Sequence, residues 1–172
     1  MNTKSNDFYS KTLYPITPQN SAPVIVTVNL KTPENIGNII RLAGNTGCRK
    51  VLAVNEGETP RMSKINRVAE VAGKTVDWSF CTFENMWELI PADYVSIALE
   101  TSENSQNLFE YKFPNKFALF VGNEINGIAP SILKKIETHL HIPITGKIKS
   151  INVSHAMAIC MFEWVKQQVV KT

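Results

Sequence analysis

An arginine follows two asparagines at helical spacing within residues 35–47. Asn35 and Asn38 lie on the first turn of a predicted helix, and Arg41 lies one turn after Asn38. An arginine in that place can present a planar fork of N–H donors to a phosphate. The same residues also fit a capped surface helix with a solvated arginine, so the segment alone leaves both interpretations open.

A second polar group follows a wholly apolar run, Phe117–Val121. Gly122 comes next, where a ligand can approach bare backbone. Asn123 and Glu124 then bring polar groups to the same rim. Ordinary Gly/Asn turn chemistry is the alternative interpretation of this segment.

The third candidate lies in residues 142–154, where a predicted strand ends and a loop with Gly146 and two lysines follows. Ser150, Asn152 and Ser154 then cluster at the start of a helix. Such side chains either serve a ligand or cap the helix, and taken singly the cap is the better interpretation.

Strand and helix patterns alternate after residue 22 and position these three segments. Apolar and β-branched runs predict strands at 24–30, 50–54, 94–99, 117–121 and 139–144. Helices are predicted at 36–45, 63–72, 82–90, 130–136 and 152–169. The first helix has Asn35 as its predicted N-cap and Gly47 as its stop.

This alternation predicts an α/β fold, a mainly parallel sheet with helices on both faces. Ligands in such sheets bind at the carboxyl ends of the strands. We therefore expect the site at the turns after Leu30, Leu99, Val121 and Ile144.

The last predicted helix is apolar on most sides of its cylinder. Its main stripe is joined by Ile159, Phe162 and Val165, so the helix is expected to be buried on most sides. In a chain of this size we favour a subunit interface, with a central core helix as the alternative.

Composition excludes several classes of protein. The chain has 172 residues, 44% hydrophobic and 19% charged, which fits one globular domain. No apolar run approaches the roughly 18 residues of a membrane span, and the N-terminus lacks the apolar core of a signal peptide. Three cysteines without a C-x-x-C pair argue against a disulfide framework or a zinc site and favour a reducing cytoplasm.

The net charge of +3 is unevenly distributed. Residues 31–74 hold eight basic residues against four acidic, residues 75–110 hold seven acidic residues without Lys or Arg, and residues 145–172 hold four lysines against one glutamate. If the two basic segments meet in the fold, they form a patch for a polyanion. A merely solvated surface fits the charges equally well.

Two nucleotide-binding motifs are absent. The turn after the first strand lacks G-x-G-x-x-G, which argues against a dinucleotide oxidoreductase. Gly73-Lys74-Thr75 imitates the end of a P-loop, but it follows a predicted helix and has Val68 where the motif needs glycine.

Together and in this order, the three segments resemble the SpoU (TrmH-like) branch of the SPOUT superfamily, the S-adenosylmethionine-dependent RNA 2′-O-ribose methyltransferases. The resemblance rests on N-x-G-x-x-x-R at 35–41, a strand followed by G-x-E-x-x-G at 117–127, and I-P-x-x-G…S-x-N-x-S at 142–154. It covers about residues 23–169. It implies a SPOUT methyltransferase domain over residues 23–172, with a deep trefoil knot in its C-terminal part. Residues 1–22 are left as a poorly ordered or RNA-contacting extension, with Phe8, Tyr9 and Tyr14 as docking points.

The resemblance also implies S-adenosylmethionine as the methyl donor, with no metal. The turns after Leu99 and Gly122, together with the segment 142–152, are expected to wrap the cofactor. The implied cofactor-binding residues are Leu99, Thr101, Gly122, Asn123, Ile142, Ile144, Ile151 and Asn152.

Five residues carry the implied catalysis. Arg41 matches the family's essential arginine, and because its guanidinium stays protonated we expect it to bind a phosphate and polarise the 2′-oxygen. Asn35 is expected to hold Arg41 or the cofactor. Glu124, Ser150 and Asn152 are expected to orient the ribose and the site.

The implied partners are RNA, with tRNA favoured over rRNA, and a second copy of the chain. The resemblance implies a homodimer joined through the last helix, with a catalytic site shared between subunits. Basic residues of 31–74 and 145–149 are the expected RNA contacts. A non-catalytic RNA-binding protein with this fold and a small-molecule Rossmann-like enzyme remain as alternatives.

Overall fold

The computed structural model describes residues 4–11 and 20–170. Its strands are β1 Val24–Val28, β2 Lys50–Val54, β3 Trp78–Cys81, β4 Val95–Leu99, β5 Gln106–Asn107, β6 Phe117–Val121 and β7 Thr138–His141. They form one sheet in the order β3-β2-β1-β6-β4-β7-β5, and every named pair is parallel. The predicted α/β fold with a parallel sheet is confirmed.

Helices cover both faces of this sheet, as predicted. They are α1 Ser5–Tyr9, α2 Pro33–Thr46, α3 Met62–Ala69, α4 Ala72–Thr75, α5 Pro130–Leu133 and α6 Val153–Val169, with a short 3₁₀ helix at Leu108–Glu110. Side chains of α2, α3 and α6 form the core on one face, and α5 with the turns of residues 82–90 covers the other. Within the described ranges, none of these helices has the length and apolar character needed to cross a bilayer.

Strand β1 shows why the sheet is buried on both sides. Ile25 packs into the core below α2 and α6, while Val24, Val26 and Val28 pack into the core on the opposite face. All five residues of β1 are buried. A continuous run of β-branched side chains is typical of such a central parallel strand.

Helix α2 begins earlier than predicted. Pro33 occupies its first turn, where a missing N–H costs nothing, and Thr32 holds the N-cap position. The prediction of Asn35 as the N-cap is therefore wrong, and its side chain is free for a longer-range contact. The predicted stop is confirmed, because Gly47 adopts φ 70° and its N–H donates to the carbonyl of Ala43.

The helix predicted at 82–90 is also wrong. The side chain of Asn85 accepts a hydrogen bond from the Thr82 N–H at 3.0 Å, a local bond that competes with a helix. Backbone hydrogen bonds of the turn type, between residues three positions apart, follow: the Leu89 N–H donates to the Met86 carbonyl and the Ile90 N–H to the Trp87 carbonyl. The segment is a series of turns whose apolar side chains still pack on the sheet.

Other elements differ in length. The helix predicted at 63–72 is interrupted at Glu70, which has φ 50°. Strand β1 ends two residues early because Asn29 has φ 51°. The predicted elements 130–136 and 139–144 also end early, at Leu133 and His141. Strands β3 and β5 were not predicted, since neither has a long β-branched run.

Helix α6 confirms a buried stripe and leaves an apolar surface. Met157, Cys160 and Trp164 are buried against the sheet, whereas Phe162 is 52% exposed. Val169, near the end of the helix, is 38% exposed. The helix is thus not enclosed by its own chain, so the alternative of a central core helix is wrong.

Gly37 lies where α2 packs tightly on α3. A Cβ atom on Gly37 would lie 2.8 Å from the Ile65 carbonyl oxygen and 2.8 Å from the Val68 Cβ. On the same helix, a Cβ on Gly44 would meet the Val76 Cγ2 at 3.3 Å, the end of a side chain that can shift.

We expect Gly37→Ala to lower the free energy of unfolding by about 1–3 kcal/mol, because two backbones must separate. Gly44→Ala is the matched control and should be near neutral, since the gain in helix propensity offsets its milder contact. Denaturant unfolding of both variants measures the difference. Equal losses of stability would contradict the close packing of α2 on α3.

Candidate active site

A cavity of about 480 Å³ opens at the carboxyl ends of β4, β6 and β7, beside the start of α6. Its lining includes every residue predicted to bind the cofactor, namely Leu99, Thr101, Gly122, Asn123, Ile142, Ile144, Ile151 and Asn152. Glu124 and Ser150 line it as well. Three of the four turns expected to form the site meet here, and the turn after Leu30 lies outside this lining.

A chain of hydrogen bonds joins the three sequence segments beside the cavity. The Asn152 side-chain oxygen caps α6 by accepting from the Ser154 N–H at 2.9 Å and its hydroxyl at 2.7 Å. Its Nδ2 donates to the Asn35 Oδ1 at 3.1 Å, and the Asn35 Nδ2 donates to the Glu124 Oε1 at 2.8 Å. We call this chain, from Ser154 through Asn152 and Asn35 to Glu124, the amide relay.

Glu124 ends the amide relay at the N-terminus of α2. Its carboxylate also accepts from the backbone N–H groups of Lys31 at 3.0 Å and Thr32 at 3.1 Å. Partial burial acts to raise the pKa of Glu124, but the hydrogen bonds from Lys31, Asn35 and Thr32 outweigh it and lower the pKa below its usual value of 4.5. A charged carboxylate at the N-terminus of α2 also interacts favourably with the helix dipole.

Gly122 is required by the chain itself. A Cβ on Gly122 would lie 2.1 Å from the Gly127 carbonyl carbon and 2.2 Å from the Ile128 nitrogen. The turn of residues 123–127 therefore folds directly over Gly122. The side chain of Asn123 holds this turn, accepting from Ile125 N–H at 2.9 Å and donating to the Asn29 carbonyl at 2.6 Å.

The sequence analysis missed Glu100, which lines the same cavity. Its two carboxylate oxygens accept from Thr101 N–H at 3.0 Å and Ile128 N–H at 2.9 Å, so it fixes the far end of the turn over Gly122. Glu100 directly follows the predicted strand 94–99, as Glu124 follows 117–121. A search for the first carboxylate after each strand would have found it.

Arg41 lies outside the cavity lining. Its side chain is 52% exposed on α2, and its Nη1 lies 3.0 Å from the Glu70 Oε1. Such an exposed ion pair contributes little to stability and breaks readily, so the guanidinium stays available for another anion.

The cavity walls suit an adenosyl group. Leu99, Ile142, Ile144 and Ile151 offer aliphatic contact for the faces of a base. Three strand ends offer main-chain groups for its edge, and the volume lies in the range of small-molecule sites. Across the described ranges, no three His, Cys, Asp or Glu side chains are grouped as metal ligands would be.

The sequence profile described as the SpoU rRNA Methylase family matches residues 22–162. The chain belongs to this family. The resemblance inferred from the three motifs is confirmed, while the trefoil knot stays a prediction from it.

Individual members of the SpoU family show how far the similarity extends. The chain is 27% identical over 148 residues to the 23S rRNA (guanosine-2′-O-)-methyltransferase RlmB of Ralstonia nicotianae, covering 86% of this chain and 59% of RlmB. It is 34% identical over 76 residues to mouse tRNA (guanosine(18)-2′-O)-methyltransferase TARBP1, covering 44% of this chain and 5% of TARBP1. The chain thus spans less than two thirds of either relative.

A solved structure shows the shared SpoU fold. The AdoMet-bound rRNA methyltransferase from Sinorhizobium meliloti superposes with a TM-score of 0.77 at 19% identity. The match covers 91% of this chain and 62% of that one. S-Adenosylmethionine, the cofactor expected from the sequence, is the ligand named for that structure.

We expect Glu124→Gln to destabilise the protein by about 1 kcal/mol at pH 7, a value already discounted for solvent exposure. A glutamine turns its NH₂ group toward one of the three donors that the carboxylate accepts. Because the folded pKa of Glu124 is lowered, its contribution is present above pH 4.5 and disappears as the pH falls through the folded pKa.

The measurement is urea unfolding of both proteins at pH 7 and at about pH 3, where the gap should shrink. Glu103→Gln, at an exposed position in the loop after β4, is the control and should match the parent protein. A gap that persists unchanged at low pH would contradict the role of the Glu124 charge.

Proposed function

We propose that this chain transfers a methyl group from S-adenosylmethionine to a ribose 2′-hydroxyl of RNA. One observation carries the proposal: eight residues predicted from sequence to hold the donor line a single cavity, and the amide relay beside it joins all three motifs. Family membership supports it. In this proposal residues 23–172 form the methyltransferase domain. Residues 1–22 form an extension, of which Phe8 and Tyr9 are exposed on α1 and Tyr14 lies outside the described residues.

The chain's own residues bind and orient in this reaction. Leu99, Ile142, Ile144 and Ile151 hold the adenosine, with backbone groups of Thr101, Gly122 and Asn123 at its edge. When bound, S-adenosylmethionine supplies an electrophilic methyl group on a sulfonium that is already a good leaving group. No metal is needed in this proposal, because the remaining task is to place the sugar hydroxyl in line with that methyl group.

The amide relay gives the polar residues their roles. Asn35 is buried between Glu124 and Asn152, so it fixes α2 against the cavity rather than contacting solvent. Ser150 and Asn152 lie at the cavity wall, where they orient the ribose. Glu124 holds the start of α2 and, through it, the helix that carries Arg41.

Arg41 is the proposed catalytic arginine, and it acts at a site shared between two subunits. It lies outside the cavity lining of its own chain, on an exposed side of α2. A second copy of the chain supplies the cavity at which its guanidinium binds the phosphate and polarises the 2′-oxygen. The ion pair with Glu70 is exchanged for the phosphate on RNA binding.

The proposed dimer is joined through α6. Its outward side leaves Phe162 and Val169 exposed, and an apolar surface of this kind is typical of a protein interface. This arrangement explains why the helix is apolar beyond the stripe that its own chain buries.

Among RNAs, we propose tRNA as the substrate. The 34% identity to mouse TARBP1, named for tRNA, supports it, although over only 76 residues. The similarity to RlmB, named for 23S rRNA, makes rRNA the alternative. Mapping ribose methylations in the tRNA and rRNA of a strain that lacks this protein decides between them.

We expect the protein to bind S-adenosylmethionine in titration calorimetry and to transfer radiolabelled methyl groups to RNA from that strain. Arg41→Lys should lower kcat by about 100-fold, because a lysine cannot present the planar fork, and leave donor affinity unchanged. Arg67→Lys, at another exposed arginine, is the matched control and should keep its activity, because a lysine retains the positive charge of a general RNA backbone contact.

Three outcomes would contradict the proposal. Near-full methylation by Arg41→Lys would contradict the proposed two-point contact between Arg41 and a phosphate. A protein that binds RNA but not the donor is a non-catalytic RNA-binding protein. A protein without affinity for RNA in a gel shift points to a small-molecule enzyme.

We expect a dimer in analytical ultracentrifugation and a monomer for Phe162→Asp, which places a charge at the centre of the exposed side of α6. Val71→Asp is the control, because Val71 is also an exposed apolar residue, at 73%, but lies far from α6 in sequence. It should stay dimeric. A monomeric parent protein, or two variants that behave alike, would contradict the α6 interface.

A further inference from the structure

A second and larger cavity lies beside the candidate active site and has not entered the proposed function. It is a groove of about 870 Å³ at the carboxyl ends of β1, β2 and β6. Strands β1 and β6 are neighbours in the sheet. The chain continues from β1 to β2 in one direction along the strand order and from β6 to β7 in the other. The groove therefore lies at the topological switch point of the sheet, where parallel α/β folds bind ligands.

The groove is separate from the first cavity but adjacent to it. The two linings share only Asn123 and Gly127. The turn of residues 123–127 forms the wall between them, held by the hydrogen bond from Asn123 Nδ2 to the Asn29 carbonyl at 2.6 Å. Two linked groups of one ligand can thus occupy the two sides of a single turn.

The groove walls are suited to a flat, apolar ring. Pro33, Pro60 and Pro130 line it, together with the largely buried Val28, the last residue of β1, and Leu30, two residues beyond it. Proline rings are rigid and apolar, so they lose little entropy on contact with a base. These walls favour a nucleobase over a flexible chain.

One side chain is placed to recognise the edge of such a ring. Asn126 lines the groove, and its side-chain amide makes no hydrogen bond within the described residues, whereas its backbone N–H donates to the Asn123 Oδ1. By contrast, Asn55 already donates to the carbonyls of Gly57 at 3.1 Å and Glu58 at 3.3 Å. A free amide offers both donors and an acceptor, which is what a base edge requires.

Cations of the groove can bind an anion attached to that ring. Lys31, Arg61 and Lys64 line it, against the carboxylates of Glu56 and Glu58, and the Lys64 Nζ also lies 3.4 Å from the Glu34 Oε1. Glu56 already accepts a hydrogen bond from the Phe83 N–H, which occupies part of its charge. Arg61 is exposed at the N-cap of α3, where its guanidinium can bind a phosphate in two-point fashion.

We propose that this groove binds one unstacked nucleotide of the substrate RNA, a neighbour of the nucleotide whose ribose enters the active-site cavity. The proposal rests on the proposed function. A free nucleoside phosphate shares the same chemistry, but RNA is favoured because the shared turn places adjacent nucleotides of one strand in the two cavities. The groove then contributes to choosing which ribose is methylated.

The test compares Arg61→Ala and Asn126→Ala with the control Lys116→Ala. Lys116 directly precedes β6, so the control removes one positive charge at the amino end of that strand, whereas the groove lies at its carboxyl end. Each protein is assayed for donor affinity by calorimetry and for methylation of RNA from a strain lacking the protein. Each groove variant should raise KM for RNA about tenfold, the scale of one hydrogen bond to the RNA lost with its partner left unpaired. Donor affinity and kcat should stay within about twofold of the parent values, and Lys116→Ala should resemble the parent protein.

A second measurement locates the nucleotide without relying on catalysis. A short single-stranded RNA containing 4-thiouridine is photo-crosslinked to the parent protein, and the labelled peptides are identified by mass spectrometry. Crosslinks in residues 55–64 or 126–130 are expected, and they should weaken in Arg61→Ala and Asn126→Ala. Uridine monophosphate serves as the competitor.

The possible results separate this inference from the proposed function. If the parent protein neither binds the donor nor transfers methyl groups, the proposed function is overturned, while the crosslinks still test the groove. Normal methylation by both groove variants, or crosslinks only elsewhere, overturns the groove as an RNA site. Competition by the free nucleotide at the same concentration as the RNA shows a free-nucleotide site and overturns the assignment to RNA.

Discussion

The amide relay is the interaction on which the site depends. Its direction is fixed at one end by a backbone N–H, that of Ser154, which can only donate. The Asn152 oxygen must therefore accept, its NH₂ must donate to Asn35, and the Asn35 NH₂ must donate to Glu124. The last group of the relay must therefore accept a hydrogen bond, and an ionised carboxylate does so. The donation from Asn35 favours the charged form of Glu124 and helps to lower its pKa.

Two glycines and one turn shape the space that the relay borders. Gly122 allows the turn of residues 123–127 to lie on its backbone, and Glu100 holds that turn from the opposite side. Gly127 adopts φ 65° in the turn, and a Cβ there would lie within 2.4 Å of the Glu100 Oε2. The wall between the two cavities thus packs directly on the backbone of Gly122 and is held in place by hydrogen bonds of Asn123 and Glu100.

The sequence predicts the sheet well because its strands are continuous apolar runs. Strands β2 and β6 were predicted with their observed bounds, since a buried parallel strand leaves little ambiguity in its pattern. The segment 82–90 forms turns instead of the predicted helix, and at its start the Asn85 side chain accepts a local hydrogen bond from the Thr82 N–H, which competes with helical pairing. Asn35 was assigned the wrong role for a related reason: a local cap was predicted where the side chain makes contacts 89 and 117 positions away.

The residues that line the cavity were predictable only from the three motifs as a set. Single motifs left a cap or a turn as the alternative, for residues 142–154 as the better one, and for Asn152 and Asn123 those local roles are indeed present. What the motifs share is a position at the carboxyl ends of neighbouring strands, and strand order cannot be deduced from local patterns. The proposed role of Arg41 at the cavity of a second chain lies beyond any pattern within one sequence.

The large sequence separation of the relay partners has a consequence for how the protein is made. Residues 24–54 can pair as β1 and β2 soon after synthesis, but Asn35 has no acceptor until Glu124 exists and no donor until Asn152 exists. Closing such distant contacts is slow and comes late in folding. A nascent chain on the ribosome therefore lacks both the Asn152 donor and the cavity wall beside α6 until the residues of α6 have emerged.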